Sequence, residues 1–254
     1  MYKEIKDDWS FDILNIYNFN KPGPLDYYFK FIKRNINKLQ GDLIEAGVHK
    51  GKSLLATGIY LKKLNSKKVV YAYDSWSGFP EEYKDHQLDK FNNWEYLLKN
   101  KKITKGHYNN VKKNIKILKF LKEKELSLNS FNISSSSNFS NCSIEELKKK
   151  IKFLKLDNIK LIKGNFKKTM YVNNKPEKIM CALLDADLYE SYKTALPFIW
   201  KKLTNKGLVF LDEYYSLKFP GPRIATDNFF LNKSQKPKIL KKKNLEFERW
   251  GVFK

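Results

Sequence analysis

GDLIEAGVHKGKS, which spans residues 41–53, is a short apolar run followed by a turn with two glycines. The run predicts a buried strand, and residues 53–64 predict the helix that follows the glycine turn. Residues 69–74, VVYAYD, predict a second strand that ends on Asp74. Strand, glycine turn, helix and strand in this order make a βαβ unit, so the chain is expected to contain a parallel sheet.

The alternation of strands and helices resumes at residue 143. Ser143-Ile144-Glu145-Glu146 fits a capping box, in which the serine starts a helix. Further elements are predicted as strands over residues 159–162, 179–184 and 207–211, helices over residues 25–39 and 189–203, a helix from Pro220-Gly221-Pro222 to Phe230, and a closing hairpin from residues 238–240 and 245–253. The pattern predicts one α/β domain over residues 1–254, with residues 1–40 as an N-terminal helical segment.

Residues 75–142 interrupt this alternation. They are polar and aromatic, contain no strand pattern and end in a run rich in Ser and Asn. A loop of this length inside a compact domain is usually a functional lid or a disordered insertion. A helix is predicted within it over residues 103–121.

The net charge of +23 is the most conspicuous feature of the composition. A chain this basic would be attracted to nucleic acid or to anionic lipid. However, arginine, which nucleic-acid surfaces favour, occurs only at Arg34, Arg223 and Arg249. Lysine is spread along the whole chain, as in proteins from AT-rich genomes. A solvated lysine surface is therefore predicted, and nucleic acid is not expected as a partner.

Compartment and covalent cross-links are predicted from the cysteines and the apolar runs. Cys142 and Cys181 lie far apart, outside any metal-binding motif, so neither a disulfide framework nor a zinc site is expected. No apolar run approaches the roughly 20 residues that a membrane span needs. The charged N-terminus does not resemble a secretory signal. A cytoplasmic protein without a membrane span is expected, and a homo-oligomer is left open.

The glycine turn excludes two phosphate-binding motifs. Three residues separate Gly47 from Gly51, whereas the nucleotide P-loop requires four, and the dinucleotide pattern G-x-G-x-x-G is also missing. The remaining pattern, E-x-G-x-x-x-G from Glu45, is typical of the first motif of S-adenosylmethionine (SAM) binding proteins. Asp74 lies where a carboxylate accepts hydrogen bonds from ribose hydroxyls.

Acidic residues follow the fourth and fifth predicted strands. They are Asp185, Asp187, Asp212 and Glu213. Because ligands bind beyond the carboxyl ends of parallel strands, these side chains are expected to converge there. Four carboxylates would repel one another without a cation. Hard oxygen ligands of this kind suit Mg²⁺, with Ca²⁺ or Mn²⁺ as alternatives.

Four sequence blocks together resemble a known family. They are GDLIEAGV at 41–48, YDSWSGFP at 73–80, LDADLYES at 184–191, and LDEY at 211–214 with PGPR at 220–223. In this order they resemble the macrocin O-methyltransferase (TylF-type) family, which methylates sugar hydroxyls on macrolides and related compounds. The wider arrangement also resembles catechol O-methyltransferase. The resemblance implies a Rossmann-like class I methyltransferase with a mostly parallel seven-stranded sheet flanked by helices, and a lid insertion over the acceptor.

The resemblance also implies roles for particular residues. The cofactor SAM would contact residues near the first four strand ends, namely Glu45, Gly47, Val48, Gly51, Ser53, Asp74, Ser75, Gly164, Asn165, Phe166 and Asp185. Asp185, Asp212 and Glu213 would hold Mg²⁺, although the family usually has two aspartates where this chain has Asp212-Glu213. Asp187 would be the general base.

The predicted function is therefore SAM-dependent and divalent-metal-dependent methylation of a hydroxyl on a sugar or glycosylated small molecule. His49, His86 and His107 are alternative bases. Two other classes stay open: another Rossmann-like enzyme, of nucleotide-sugar metabolism or a dehydrogenase, and a basic RNA-binding protein or RNA methyltransferase.

Overall fold

A computed structural model describes residues 2–121, 128–173, 175–241 and 247–254. Within these residues the strands form one sheet in the order β3-β2-β1-β4-β5-β7-β6. The strands are β1 Asp42–Ala46, β2 Val70–Asp74, β3 Ile159–Lys163, β4 Ile179–Leu184, β5 Leu203–Leu211, β6 Lys238–Lys241 and β7 Arg249–Phe253. Strands β2 and β3 are added on one side of β1, and β4 and β5 on the other. The resulting switch point between β1 and β4 creates the crevice where ligands bind in open parallel sheets.

Nine α-helices flank the sheet or belong to its connections in the described part of the chain. They are α1 Asp8–Leu14, α2 Asp26–Asn35, α3 Lys52–Lys63, α4 Asn93–Lys99, α5 Lys105–Leu121, α6 Ile144–Leu154, α7 Phe166–Asn173, α8 Tyr189–Lys202 and α9 Gly221–Phe230. None of the described helices is both long and apolar enough to cross a membrane.

The register of the sheet follows from the apolar character of its central strands. β1 pairs in parallel with β2 and β4, and β5 continues the parallel arrangement beside β4. All six residues of β4 are buried, as expected of a strand covered by helices on both faces. β7 runs antiparallel to both β5 and β6, which confirms the predicted hairpin at that edge. The predicted seven-stranded, mostly parallel α/β fold is confirmed.

Two apolar cores cover the two faces of the sheet. One contains the buried side chains of α2, α3 and α6, and the other contains those of α8 and α9 with Met170 of α7. The sequence periodicity predicted most of these helices to within a few residues of their observed bounds. The capping box is also present, since the Ser143 hydroxyl oxygen accepts a hydrogen bond of 3.2 Å from the Glu146 amide.

Three helices are absent from the sequence prediction. Residues 1–23 look irregular in sequence, yet they contain α1, whose Phe11 is buried against the core. α7 begins at Phe166, the last residue of the motif Gly164-Asn165-Phe166, and is too short to show a clear period. α4 lies inside the insertion. The predicted second strand of the hairpin begins at residue 245, outside the described residues.

The described residues of the insertion, 75–121 and 128–142, fold onto the domain, and the first of these segments does so through its own helices. α5 covers most of the predicted helix at 103–121. α4 and α5 form a small apolar cluster with Ile224 of α9. The described residues 128–142 contain turns and no strand. The insertion therefore lies beside the carboxyl ends of the strands, where it contributes walls to the candidate site.

Candidate active site

A cavity of about 400 Å³ lies at the carboxyl ends of β1, β2, β3 and β4. Nine of the eleven predicted cofactor-binding residues line it. These nine are Gly47, Val48, Ser53, Asp74, Ser75, Gly164, Asn165, Phe166 and Asp185. Residues of the insertion close one side, including Phe79, Tyr83 and Phe139. The structure thus brings the tips of four strands and the insertion together around one space.

The glycine turn after β1 is shaped by the absence of a side chain at Gly47. The Gly47 backbone has a φ of 86°, which glycine adopts without strain. A Cβ atom at this position would lie 1.7 Å from the Asp185 carbonyl oxygen. Gly47 therefore allows the tips of β1 and β4 to touch. Gly51 has a φ of 77° and is the N-cap residue of α3, so it shapes the turn without lining the cavity.

Asp74 holds the glycine turn with its carboxylate. Oδ2 accepts hydrogen bonds from the amides of Val48 at 2.7 Å and His49 at 2.9 Å. Oδ1 accepts one of 2.7 Å from the Trp76 amide. Charge-assisted bonds of this kind are among the stronger ones in proteins. The carboxylate therefore has a set direction at the wall of the cavity, where it could accept further bonds from a ligand.

Glu45 braces the same turn from behind the cavity. It is fully buried, and its Oε1 accepts a hydrogen bond of 2.6 Å from the Ser53 hydroxyl. Burial raises the pKa of Glu45 to about 8, although the Ser53 bond acts in the opposite direction. Glu45 is among the residues predicted to contact the cofactor, but it does not line the cavity.

The densest group of acidic side chains lies at the tips of β4 and β5. Asp185, Asp187 and Glu213 each offer a carboxylate oxygen, and these oxygens lie within 4.8 Å of one another. We call these three residues the carboxylate group. Asp187 has a φ of 58°, a left-handed conformation that is uncommon for residues other than glycine.

Burial and mutual repulsion disfavour three negative charges in the carboxylate group. Burial, with the nearby Asp212 carboxylate, raises the pKa of Asp185 to about 7. Burial and the Asp185 carboxylate raise the pKa of Asp187 and of Glu213 well above their usual ranges. Such a group must either bind protons or face a cation. The arrangement therefore suits a hard divalent cation.

Glu213 is held in the carboxylate group by Tyr192 of α8. The Tyr192 hydroxyl lies 3.0 Å from Glu213 Oε2 and 2.9 Å from the Leu184 carbonyl oxygen. Asp212, the neighbouring acid, instead lies 3.5 Å from the Arg249 guanidinium of β7. The structure thus places Asp187 where the sequence-based cation set has Asp212.

A second cavity of about 220 Å³ lies on the other side of the carboxylate group. Asp187 lines both this cavity and the larger one, and Glu213 and Asp212 line the second only. A third cavity of about 210 Å³ shares Asn114, Tyr215, Leu217 and Phe247 with the second. We call the second and third cavities together the outer groove. The carboxylate group therefore separates the larger cavity from the outer groove.

The insertion forms one wall of the outer groove through α5. The Asn114 side-chain amide donates a hydrogen bond of 3.0 Å to the Leu217 carbonyl oxygen. The His107 ring stacks on Tyr215 at 4.0 Å, and its Nε2 lies 2.7 Å from the Ser216 carbonyl oxygen. These contacts fix α5 against the loop that follows β5.

The three histidines lie outside the carboxylate group. His49 lines the larger cavity, and its Nε2 lies 2.8 Å from Asn141 Oδ1. His86 Nε2 lies 3.6 Å from the Glu190 carboxylate. His107 is buried in its contacts with the loop after β5. Of the three, His49 lines a cavity, whereas His86 and His107 line none of the cavities described.

Sequence reasoning missed Asp89, a buried acid from the insertion. Both its carboxylate oxygens accept hydrogen bonds from the Tyr189 amide, at 3.0 and 3.2 Å. Tyr189 begins α8, two residues after Asp187. The carboxylate also reaches α9, since a Cβ at Gly221 would lie 1.9 Å from Asp89 Oδ1. Asp89 thus ties the insertion to the segment that carries the acids, and only a contact across 100 residues could have revealed it.

Residues 122–242 match the family described as macrocin-O-methyltransferase (TylF). The predicted resemblance to this family is thereby confirmed. The matched segment includes Asp185, Asp187, Asp212 and Glu213, and so covers the acids of the site. No curated protein matches the sequence.

Solved methyltransferase structures share the fold. The O-methyltransferase NovP is 18% identical, with a TM-score of 0.57 over 89% of this chain and 78% of that one. CalS11, a calicheamicin methyltransferase, is 17% identical, with a TM-score of 0.58 over 90% and 78%. An O-methyltransferase from Bacillus cereus in complex with SAH is 10% identical, with a TM-score of 0.50 over 99% and 93%. The class I methyltransferase fold is confirmed, and the TylF match supports a methyltransferase enzyme.

We predict that Asp89→Asn makes the stability of the protein less sensitive to pH. Burial raises the pKa of Asp89 to about 7, although the bond from Tyr189 lowers it. In the unfolded chain the pKa of an aspartate is near 4. Because the pKa of Asp89 is higher in the folded protein, its proton favours folding at a pH below about 4, and this stabilisation is lost as the pH rises towards 7. As the pH rises from about 5 to about 8, the free energy of unfolding of the variant should increase by up to about 3 kcal/mol relative to that of the unmodified protein.

Urea unfolding at both pH values measures this difference. The introduced asparagine would keep one acceptor oxygen for the Tyr189 amide, so the variant is expected to fold. Asp85→Asn, which changes an exposed acid in the same insertion, is the matched control and should show no such change. A free-energy difference between Asp89→Asn and the unmodified protein that is equal at both pH values would contradict the prediction.

Proposed function

We propose that the protein is a SAM-dependent O-methyltransferase that uses a divalent cation to methylate a hydroxyl of a sugar or a glycosylated small molecule. The observation that carries this proposal is the position of the carboxylate group between the large cavity and the outer groove. The TylF match supports the reaction class. The Bacillus cereus O-methyltransferase, which shares this fold, is in complex with SAH, and this supports the cofactor.

The larger cavity is proposed to bind SAM. Asp74, with its oxygens already directed by three amides, would accept hydrogen bonds from the ribose hydroxyls. Gly47 and Asp185, whose backbones are in close contact, form the part of the wall where the methionine part would lie. Gly164, Asn165 and Phe166 form the wall where the adenine would lie. These assignments correspond to the predicted cofactor residues, except that Glu45 and Gly51 act from behind the cavity.

The carboxylate group fits Mg²⁺ or a similar cation. Its three oxygens lie within 4.8 Å of one another, so small adjustments of the side chains would let them share one ion, and oxygen ligands are those that Mg²⁺ prefers. Deprotonation of these buried acids becomes favourable once a positive charge neutralises them. We propose Asp185, Asp187 and Glu213 as the ligands. Asp212 would act beside them as the partner of Arg249, and not as a ligand.

The chain's own residues would perform two tasks in methyl transfer. The sulfonium of SAM already activates the methyl group, so the protein must direct an acceptor oxygen towards it. A bound cation would lower the pKa of an acceptor hydroxyl. Asp187 faces both cavities, so one of its carboxylate oxygens can take the hydroxyl proton. Aromatic side chains of the insertion, such as Phe79 and Phe139, would exclude water from the cofactor side.

The outer groove is proposed to hold the acceptor. It opens beside Tyr215, Leu217 and Phe247, and α5 of the insertion forms one wall. We propose that the predicted acceptor lid acts through residues 75–121 and 128–142, which contribute side chains to the larger cavity and to the outer groove. A cytoplasmic location and a homo-oligomeric state stay predictions.

The SAM site is tested by isothermal titration calorimetry with SAM and NAD. We expect SAM to bind and NAD to show no binding, because the turn after β1 lacks the dinucleotide glycine pattern. Gly47→Ala should abolish SAM binding, because its methyl group would collide with the Asp185 backbone. Gly106→Ala, at an exposed glycine in the insertion, is the control. Binding of NAD in preference to SAM would favour the alternative Rossmann-like enzyme.

The cation ligands are tested by two adjacent substitutions. Glu213→Gln should weaken Mn²⁺ binding about tenfold or more, because it removes one charged ligand. Asp212→Asn removes a charge from the same turn and should change the affinity for Mn²⁺ much less. SAM affinity should stay similar in both variants, since neither residue lines the larger cavity. Calorimetric titration of Mn²⁺ in the presence of SAH measures the Mn²⁺ affinity of both variants. A larger loss of Mn²⁺ affinity in Asp212→Asn than in Glu213→Gln would favour Asp212 as a ligand, as predicted from the sequence.

A further inference from the structure

Large apolar side chains remain exposed at the open end of the outer groove. Ile117, Phe120 and Leu121 of α5 are 46%, 82% and 66% exposed, and Phe247 is 44% exposed. Their spacing of three and four residues places the α5 side chains on one side of the helix. We call these four residues the apolar rim. Single exposed apolar residues are common, whereas a contiguous group usually marks an interaction surface.

The helix that carries the apolar rim is basic throughout. α5 contains five lysines and no acidic residue in its 17 residues. Lys112, Lys116 and Lys119 are exposed, and within the described part of the chain they form no ion pair with an acid. α6, which is also rich in lysine, differs because Glu145 and Glu146 offset part of its charge. α5 thus presents three exposed apolar side chains beside exposed lysines, whereas the exposed Phe153 of α6 stands beside lysines that are partly offset by acids.

The apolar rim is continuous with the proposed acceptor site. Ile117 and Phe247 line the third cavity, which shares Tyr215 and Leu217 with the second. The second cavity reaches Asp187 in the carboxylate group. A molecule held at the surface beside α5 could therefore extend through the outer groove to the reacting position.

We propose that α5 and the apolar rim dock on an anionic lipid membrane, and that the acceptor is a glycan anchored in that membrane. The choice of acceptor rests on the proposed function, because that function assigns the outer groove to the acceptor. The docking itself rests on the exposed apolar and lysine side chains of α5. No spanning segment is required, since a basic amphipathic helix can lie in the plane of the interface.

The chemistry of the surface favours lipid over other occupants. Lysine stems can lie along apolar surface while their ammonium groups reach anionic headgroups. Ile117 and Leu121 are aliphatic and would gain nothing by stacking on nucleic acid bases, and α5 has no arginine. A second copy of the chain would bring five more lysines against these five, which disfavours a symmetric dimer through α5.

Sedimentation of the full chain with lipid vesicles tests the proposal. We expect binding to vesicles of phosphatidylcholine mixed with phosphatidylglycerol, weaker binding at high salt, and little binding to phosphatidylcholine alone. Replacing Lys112, Lys116 and Lys119 with Gln should reduce binding to anionic vesicles about tenfold or more. Phe120→Ser with Leu121→Ser should also reduce binding, because the apolar contact is lost. These residues line none of the cavities described, so SAM affinity should not change.

Matched variants on α6 and α7 distinguish docking through α5 from non-specific attraction of the basic chain to anionic lipid. Lys148, Lys149 and Lys152 of α6, replaced together with Gln, remove the same charge from another helix. Tyr171→Ser with Val172→Ser removes exposed apolar side chains from α7. Both control variants should bind vesicles nearly as well as the unmodified protein.

Several outcomes would overturn the proposal. One is a loss of vesicle binding in the α6 variant as large as that in the α5 lysine variant, and another is no binding to anionic vesicles. Tighter binding to an oligonucleotide than to vesicles would also overturn it, as would a dimer that dissociates in the α5 variants. The proposed function is tested separately by SAM binding. A protein that binds SAM but no vesicles would refute the docking and leave the methyltransferase standing. One that binds vesicles but no SAM would refute the methyltransferase, and with it the choice of acceptor, and leave the docking standing.

Discussion

The contact between the tips of β1 and β4 is the constraint on which the site depends. The Asp185 amide donates a hydrogen bond of 2.9 Å to the Ala46 carbonyl oxygen, and Gly47 leaves no side chain between the two backbones. Asp185 consequently lies both at the wall of the larger cavity and in the carboxylate group. The place where SAM would bind and the place where an acceptor oxygen would be activated are therefore fixed relative to each other by backbone packing. Proximity of this kind is the main contribution that such an enzyme can make.

Electrostatics sets the second requirement of the site. The buried acids favour their protonated forms when no cation neutralises them, as the raised pKa of Asp185, about 7, indicates. The same burial would strengthen their interaction with a cation. Tyr192 and Asp89 stabilise the surrounding backbone and side chains, at Glu213 and at the start of α8 respectively. A site that disfavours free carboxylates, yet keeps them close together, is suited to binding a cation.

The βαβ unit, the mostly parallel sheet and nine of the residues that line the larger cavity could be predicted from the sequence. The unit and the sheet depend on local patterns, since apolar periodicity and glycine spacing report directly on strands and turns. The nine cavity residues, in contrast, are implied by the resemblance to the macrocin O-methyltransferase family. The convergence of Asp187, in place of Asp212, with Asp185 and Glu213 could not be predicted from local sequence. It depends on the left-handed backbone at Asp187 and on Arg249, which reaches Asp212 from a strand 37 residues later. Asp89 likewise contributes through a contact with Tyr189 that no short motif encodes.

One cation is proposed to lie among Asp185, Asp187 and Glu213, beside a bound cofactor. Crystals grown with SAH and Mn²⁺ would locate it by anomalous diffraction from manganese. We expect a single peak within coordination distance of carboxylate oxygens from all three residues, with SAH in the cavity that Gly47 and Asp74 line. A peak coordinated by Asp212 without Asp187, or SAH bound outside that cavity, would contradict it.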